Sequence, residues 1–483
     1  MKLSNDKEEK CIIEALVQKR SILDDKVNYT DVRMAIIGDT GVGKSTFLAH
    51  ISHGIKDTGR GTARISLLRH PHEIETGNTS CIAHEMIGYT SQGELINNAC
   101  QFIETWEQIC EASNKVITFL DTCGNIKYMR TTISALTGYC PDYAILVVSA
   151  SLGSSCITEI AREHTSLVTM LEVPLSIVIT KIDQATNEQI NNCIHAVQLF
   201  LSSFSGVKNH HRVPIRITSE NEIDIEACAN SMMEHGSTVP IFTVSNVTGE
   251  NMNLIHRFFN ALSASKSNSF YHLLEEPVEF QIEQVYVLAD VGIVVGGVLR
   301  QGRINIKDDE HQRTFALGPN SLGQFIKAKV VSIHRHRMPA NYVHCGQTAS
   351  LAIELFVNNE EEWKIKKGMV LLASTTTPES YTAFEAQIDV LYHPFEGIRQ
   401  GNCGMIRTGF IRQQARIVKI AKYQHELHNE DSNESVSIST GQHGYSIFQF
   451  FGDPQYLRLD SQFIFLEGPI KCLGKVTNLI KKI

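Results

Sequence analysis

No run of apolar residues in this sequence is long enough to cross a bilayer. Met1 to Lys10 is too charged to open a secretory signal, and Cys11 to Val17 is too short an apolar stretch to form the core of one. The cytosol is therefore the expected compartment, with no membrane partner. The twelve cysteines include no C-x-x-C pair, and several lie within apolar runs. Free thiols in a reducing compartment fit that pattern better than disulfides or zinc. The close pairs His70 and His72, His210 and His211, and His334 and His336 lack partner cysteines and a helical H-x-x-x-H, so they read as surface or loop residues. Excess positive charge is also missing. The formal net charge is −8, and residues 276–483 carry 22 basic and 22 acidic side chains, so the acidic excess lies in the first 275 residues. That balance excludes a generally basic nucleic-acid binder, and any RNA contact would come from a local patch on the C-terminal half.

What remains is a chain of 483 residues, 42% hydrophobic and 20% charged, with room for three ordinary globular domains. It is organised around Gly38-Asp39-Thr40-Gly41-Val42-Gly43-Lys44-Ser45, a G-x-x-x-x-G-K-[ST] loop. An apolar run, Met34 to Ile37, precedes it as a strand. Thr46-Phe47-Leu48-Ala49-His50-Ile51 follows as the first turns of a helix. Glycines let consecutive backbone N–H groups curl around phosphate oxygens, and the helix N-terminus adds positive potential there. Lys44 is the expected neutraliser of the β- and γ-phosphates, and Ser45 the expected Mg²⁺ ligand.

Further apolar runs follow at Val116–Leu120, Ala144–Val148, Ser176–Ile179 and Ile241–Val244. Helical patterns such as Ile190, Ile194, Val197 and Leu201 separate them. Continuous apolar strands alternating with helices predict a doubly wound, mostly parallel sheet, with ligands bound at the carboxyl ends of its strands. Chemistry-bearing residues stand at those ends. Asp121-Thr122-Cys123-Gly124 offers a carboxylate for the Mg²⁺ shell and a glycine whose N–H can approach the γ-phosphate. Thr180-Lys181-Ile182-Asp183 offers a carboxylate that can accept the two guanine donors, N1–H and the exocyclic amine, which adenine cannot match. Ser245-Asn246-Val247 could bring a backbone N–H to guanine O6. Between the first helix and Val116 lies a segment with few strand signals, containing Gly59 to Arg64 and Arg69 to Ser80. It is read as the first switch of a GTPase, with Thr79 as the residue sensing Mg²⁺ and the γ-phosphate. GTP, GDP and Mg²⁺ are the expected cofactors.

Three stretches make the resemblance specific: Arg69-His70-Pro71-His72-Glu73-Ile74-Glu75-Thr76-Gly77-Asn78-Thr79-Ser80, Lys115 to Asp121, and Ser245-Asn246-Val247-Thr248-Gly249-Glu250-Asn251. They resemble the GTP-binding protein 1 and 2 subfamily of translational GTPases, relatives of elongation factor Tu and elongation factor 1-alpha. The likeness runs over nearly the whole chain from about residue 28. It implies a P-loop GTPase domain followed by two small all-β barrels. Period-two patterns after residue 275 agree with this, as does Val291 to Gly302, which resembles the second-domain signature of translation factors. The expected division is an N-terminal extension over 1–27 with a peripheral helix, a GTP-binding domain over 28–268, and barrels over 275–376 and 381–483. The polar insert Asn429–Ser439 reads as a loop. The most basic barrel segment, Ser332 to Pro339, reads equally as a solvated loop or an RNA contact.

The resemblance implies hydrolysis of GTP and a ribosome, tRNA or RNA surveillance partner, with a monomer favoured. Two positions depart from it. Asn125 stands where translational GTPases usually carry histidine after D-x-x-G, and Gly41 where they usually carry aspartate. Asn125, Lys44 and Thr79 are the catalytic candidates, and slow hydrolysis is expected because asparagine cannot act as a base near neutral pH. Two alternatives stand beside the elongation-factor reading: a GTP-dependent binding module with little turnover, and the GTPase subunit of sulfate activation.

Overall fold

The computed structural model of the chain describes residues 29–203, 212–218, 222–235, 238–263, 272–356, 363–374, 377–392, 397–428, 436–468 and 470–481. The expected helix within residues 1–27, the pair His210 and His211, and residues 429–435 of the polar insert lie outside them. No helix among the described residues is long and apolar enough to cross a membrane, and the described cysteines form no disulfide.

The first unit contains strands β1 (Thr30–Ile37), β2 (Ala83–Tyr89), β3 (Leu95–Ile96), β4 (Lys115–Asp121), β5 (Tyr143–Ser149), β6 (Leu175–Thr180), β7 (Val213–Arg216) and β8 (Thr238–Thr243). Its helices are α1 (Lys44–His53), α2 (Pro71–Thr76), α3 (Trp106–Ala112), α4 (Met129–Tyr139), α5 (Glu159–Met170), α6 (Asn187–Ser203), α7 (Glu222–His235) and α8 (Met252–Ala261). The sheet order is β3-β2-β4-β1-β5-β6-β8-β7, parallel except for β2 and β3. All five apolar runs became strands. Their alternation shows which layer each residue feeds. Val32, Met34 and Ile36 of β1 pack with α1, α7 and α8, while Ala35 and Ile37 pack with α4, α5 and α6. Burying both faces is what makes such strands read as unbroken apolar runs.

Strand β2 is the element the sequence pattern concealed, since residues 83–89 lie in the segment with few strand signals. Gly88 and Glu85 interrupt its apolar character. It is nevertheless almost wholly buried because it pairs antiparallel with β4 along seven residues and is covered by α3.

Two barrels follow. The first is built from β9 (Glu279–Leu288), β10 (Gly292–Gln301), β11 (Arg303–Asn305), β12 (Thr314–Gly318), β13 (Ile326–Arg335), β14 (Met338–Ala340), β15 (Tyr342–His344), β16 (Thr348–Leu355) and β17 (Val370–Ala373). Pairing of β12 with both β17 and β13 closes six of them, leaving β14 as a hairpin arm on β13. The second contains β18 (Ala383–Tyr392), β19 (Ile398–Arg399), β20 (Cys403–Thr408), β21 (Ile411–Ala421), β22 (Ser437–Ile438), β23 (His443–Phe450), β24 (Gln462–Glu467) and β25 (Ile470–Ile480). It closes in the order β18-β23-β21-β20-β24-β25. Short β22 lies in the part of the polar insert that is described.

Both barrels dock on the α/β unit through α4. Arg300 of β10 donates to the carbonyls of Thr137 and Gly138 at 3.1 and 3.0 Å, where a cation complements the helix dipole. Arg407 of β20 donates to the Arg130 carbonyl at 2.7 Å. Phe410 packs with Tyr139, Leu120 and Val298, so all three units share one apolar cluster.

The basic segment Ser332 to Pro339 is not a solvated loop, and its most buried cation, Arg335, faces inward. The segment forms the β13–β14 hairpin, and that hairpin clamps the amino end of β1. Arg335 is 1% exposed, lies over the Tyr29 ring at 4.9 Å and faces Asp31 at 3.6 Å. His336 reaches the same carboxylate at 3.4 Å, and Arg337 lies over Trp106 at 5.8 Å. Burial alone would raise the Asp31 pKa. The hydrogen bond from His336, its charge, and the charges of Arg335 and Arg33 outweigh burial and hold Asp31 at about 2.

Candidate functional site

The carboxyl ends of β1, β4, β6 and β8 bring the sequence candidates to one edge of the sheet. The loop Gly38 to Gly43 joins β1 to α1, whose first turn carries Lys44, Ser45 and Thr46. Lys44 is buried and donates to the Gly38 and Asp39 carbonyls at 3.0 and 2.7 Å. Burial lowers its pKa against the opposing charges of Asp121 and Asp39. Gly124 closes the other side of the loop. A Cβ there would stand 2.3 Å from Lys44 Nζ and 2.6 Å from the Asp39 carbonyl carbon, so only glycine fits.

Three side-chain oxygens converge beside Lys44. Ser45 Oγ donates to Asp121 Oδ2 at 2.6 Å and lies 3.0 Å from Thr79 Oγ1. Asp121 is buried, and its Oδ1 has no hydrogen-bond partner among the described residues. Burial raises its pKa to about 6, with Lys44 and Ser45 acting the other way. Two hydroxyls and a carboxylate with a spare buried oxygen form an all-oxygen donor set, which suits Mg²⁺.

Thr79 is held there by a residue that the motif search passed over. Glu73 of α2 is buried and accepts backbone N–H bonds from Ser80 at 2.7 Å, Cys81 at 3.2 Å, and Arg69 and His70 at 3.2 Å. Burial would raise the Glu73 pKa, but these donors hold it at about 2. His70, Glu73 and Cys81 present ligand atoms within 4.8 Å of one another, yet both Glu73 oxygens are already committed to the backbone. His70 and His72 are exposed, as read from the sequence, and the structure stacks their rings on each other.

The side of the cleft around Lys181 and Asp183 is equally built. Thr180 is fully buried and its hydroxyl donates to the Val42 carbonyl at 2.5 Å. Lys181 adopts a left-handed conformation that lays its chain across the loop, with Nζ 2.7 Å from the Gly41 carbonyl. Ser245 Oγ donates to Asp183 Oδ1 at 2.7 Å and accepts N–H bonds from Val247 and Thr248 at 3.2 and 3.1 Å. That network fixes the exposed Asp183 carboxylate at the mouth of a cleft of about 240 Å³ that Gly43, Lys181, Asn246 and Val247 also line.

Other residues here carried no motif. Asp57 accepts N–H bonds from Gly59, Gly61 and Ala63 and donates its own N–H to the Asn246 carbonyl at 3.0 Å. The available signal was an aspartate leading a run with alternate glycines, Asp57-Thr58-Gly59-Arg60-Gly61, which is turn chemistry. His164 of α5 is buried and accepts the Gly38 N–H at Nδ1, 3.1 Å away. Burial pushes its pKa down to about 3. No local pattern marks it, because it reaches the loop from 126 residues away.

Asn125, half-buried, uses Oδ1 to accept the Lys127 N–H at 2.9 Å, capping the short helical turn Ile126–Tyr128. Gly41 has φ +76° and open space around it.

Residues 30–282 match the elongation factor Tu GTP binding domain. GTP-binding protein 2 of Homo sapiens is 35% identical over 469 residues, covering 97% of this chain and 72% of that protein. GTP-binding protein 1 of Xenopus laevis is 35% identical over 457 residues, covering 94% of this chain but 64% of that protein. Among solved structures, bacterial selenocysteine-specific elongation factor EF-Sec aligns with a TM-score of 0.59 at 14% identity, over 93% of this chain and 58% of that one. Elongation factor SelB of Methanococcus maripaludis with the GTP analogue GppNHp aligns with a TM-score of 0.56 at 16% identity, over 94% and 80%. At those identities the structures attest the fold.

Proposed function

This chain belongs to the elongation factor Tu GTP-binding family, and from that membership we propose that it is a GTP-hydrolysing switch that engages ribosomes, tRNA or another RNA-linked complex. The observation that carries the proposal is the meeting of Lys44, Ser45 and Thr79 with Asp183 around two adjoining hollows at the sheet edge, with buried Asp121 bonded to Ser45 behind them.

In this reading the N–H groups of the Gly38 to Thr46 segment wrap the phosphates and Lys44 neutralises them. Asp183, fixed by Ser245, accepts the guanine donors. Mg²⁺, held by Ser45 and Thr79 and through water by Asp121, would neutralise charge on the β- and γ-phosphates. Thr79 senses the γ-phosphate. Ordering of its segment and of the Asp121 to Gly124 loop passes into α4, on which both barrels rest. A monomer in the cytosol suits such a switch.

Asn125 supports slow turnover. Its carbonyl oxygen is committed to the Lys127 N–H, so its remaining donors cannot take a proton from the attacking water. The same observation favours a second reading, a GTP-dependent binding module with little turnover. Single-turnover GTP hydrolysis with and without ribosomes from the same source separates the two. Slow intrinsic turnover with moderate ribosome stimulation is expected, and Asn125→His should raise the stimulated rate by about tenfold or more, roughly 1.4 kcal/mol of barrier. Absence of turnover under both conditions would leave the binding module. Wild-type turnover as fast as an ordinary elongation factor, or a slower histidine variant, would assign the water-positioning work to Asn125 or to a partner.

A further inference from the structure

We propose that Arg64 is a catalytic residue, the in-chain cation that stabilises charge on the phosphates as the γ-phosphoryl group leaves. The assignment rests on the GTPase reading and adds a residue to it.

Arg64 lies in the helical turn Ala63–Ser66 that follows α1. Asp57 determines where that turn sits. Its carboxylate gathers the N–H groups of Gly59, Gly61 and Ala63 at 2.8 to 3.0 Å, and its own N–H is tied to Asn246 on the base side. The loop is thus stapled over the cleft from within. Arg64 consequently lines both halves of it: the base half with Lys181 and Asp183, and the phosphate half with Lys44, Ser45, Thr79 and Gly124.

The room for its guanidinium has been left by glycine. A Cβ at Gly77, two residues before Thr79, would stand 2.3 Å from Arg64 Nη2 and 2.8 Å from Cζ, and one at Gly61 would stand 3.1 Å from Cζ. Arg64 therefore fills the space between its own loop and the switch segment. Its charge helps burial to lower the pKa of Lys181. Half-buried as it is, the guanidinium has no hydrogen bond or ion pair among the described residues. Arg33, Arg300 and Arg335, by contrast, are engaged with Asp142, the α4 carbonyls and Asp31. An unengaged cation in the cleft that Lys44 also lines has an anion as its natural counterpart.

The chemistry needs such a charge. A water oxygen bonds to the γ-phosphorus while the bond from that phosphorus to the β–γ bridging oxygen breaks. The electron pair stays on the bridging oxygen, now part of GDP. The proton lost from water passes to phosphate or solvent, leaving GDP and inorganic phosphate. Negative charge grows on the oxygens facing Lys44 and Arg64, and a fixed cation there lowers the barrier without reorganisation. Asn125, being neutral, supplies no charge of this kind.

The test uses the full chain. Single-turnover hydrolysis of labelled GTP, with protein in excess, is measured for wild type, Arg64→Ala and Arg64→Lys, alongside affinity for fluorescent GDP with and without aluminium fluoride. Arg64→Ala should slow hydrolysis by about thirtyfold or more, the scale separating GTPases with and without a cis arginine. Its GDP affinity should hold within about threefold, and the gain from aluminium fluoride should vanish. Arg64→Lys should fall between, since it keeps the charge but loses the planar fork. An unchanged rate in Arg64→Ala overturns the role. So does a loss of GDP affinity as large as the loss of rate, which would make Arg64 a ground-state ligand. Wild type without turnover, with or without ribosomes, would instead remove the GTPase reading, and this role with it.

Discussion

Replacing Asp31 by asparagine should loosen the seam between the first barrel and the α/β unit. Asp31 is the counter-charge to Arg335, which is 1% exposed, and it is within 3.4 Å of His336. The change keeps the shape of the side chain and removes only its charge, so the Arg335 guanidinium remains buried with the Tyr29 ring as its chief company. Stranding one partner of a buried pair costs about 3–5 kcal/mol. A second route gives a similar scale. Asp31 is held at about 2 against an ordinary 3.8, which corresponds to about 2 kcal/mol of stabilisation by its charge. Because its folded pKa is the lower one, that stability is present above about pH 4 and is lost as pH falls towards 2. Asp31→Asn should therefore lower the first unfolding transition in urea at pH 7, with much less difference from wild type near pH 2. Hydrogen exchange should quicken at Tyr29 to Val32 and along β13–β14 before it does elsewhere. The double change Asp31→Leu with Arg335→Met should recover most of the loss, since an apolar pair of similar volume leaves no stranded charge. A single Asp31→Asn as stable as wild type, or a double variant no more stable than Asp31→Asn, would refute the reasoning.

Three further outcomes are expected. Ser45→Ala should weaken nucleotide binding by about tenfold or more with Mg²⁺ present and far less in excess chelator. Equal weakening in both conditions would contradict a role in holding the metal. His164 is neutral in the fold at about 3 but takes up a proton near 6.5 when unfolded, so it costs stability as pH falls through that window, up to about 1.4 kcal/mol per pH unit. His164→Asn can still accept the Gly38 N–H, and its urea midpoint should drop less between pH 6.5 and 5; parallel curves would exclude this source. Gly138→Ala should destabilise the chain by about 1–3 kcal/mol, because its Cβ would meet Phe410 Cε1 at 2.5 Å. In a Phe410→Ala background the same change should cost almost nothing, and an equal cost in both would mean the contact is not the cause.

The loops at the sheet edge were legible in the sequence because each is a short contiguous segment at the end of an apolar run. Backbone geometry at Gly38 to Lys44, Asp121 to Gly124 and Thr180 to Asp183 is encoded locally, and buried parallel strands announce themselves by composition. Strand β2 escaped because its burial comes from pairing with β4 and the cover of α3, with Glu85 and Gly88 masking its character. Counting charge marked Ser332 to Pro339 as basic, but it could not show that Asp31, some three hundred residues earlier, would neutralise Arg335. Nor could spacing show that Glu73 fixes the segment of Thr79, that His164 supports Gly38, or that Asp57 holds the turn whose Arg64 lines the hollow beside Thr79. Local hydrogen bonding and hydrophobic period are properties of neighbours in the chain. Which buried charge meets its partner, and which is left facing the ligand, depends on how sheet, helices and barrels dock.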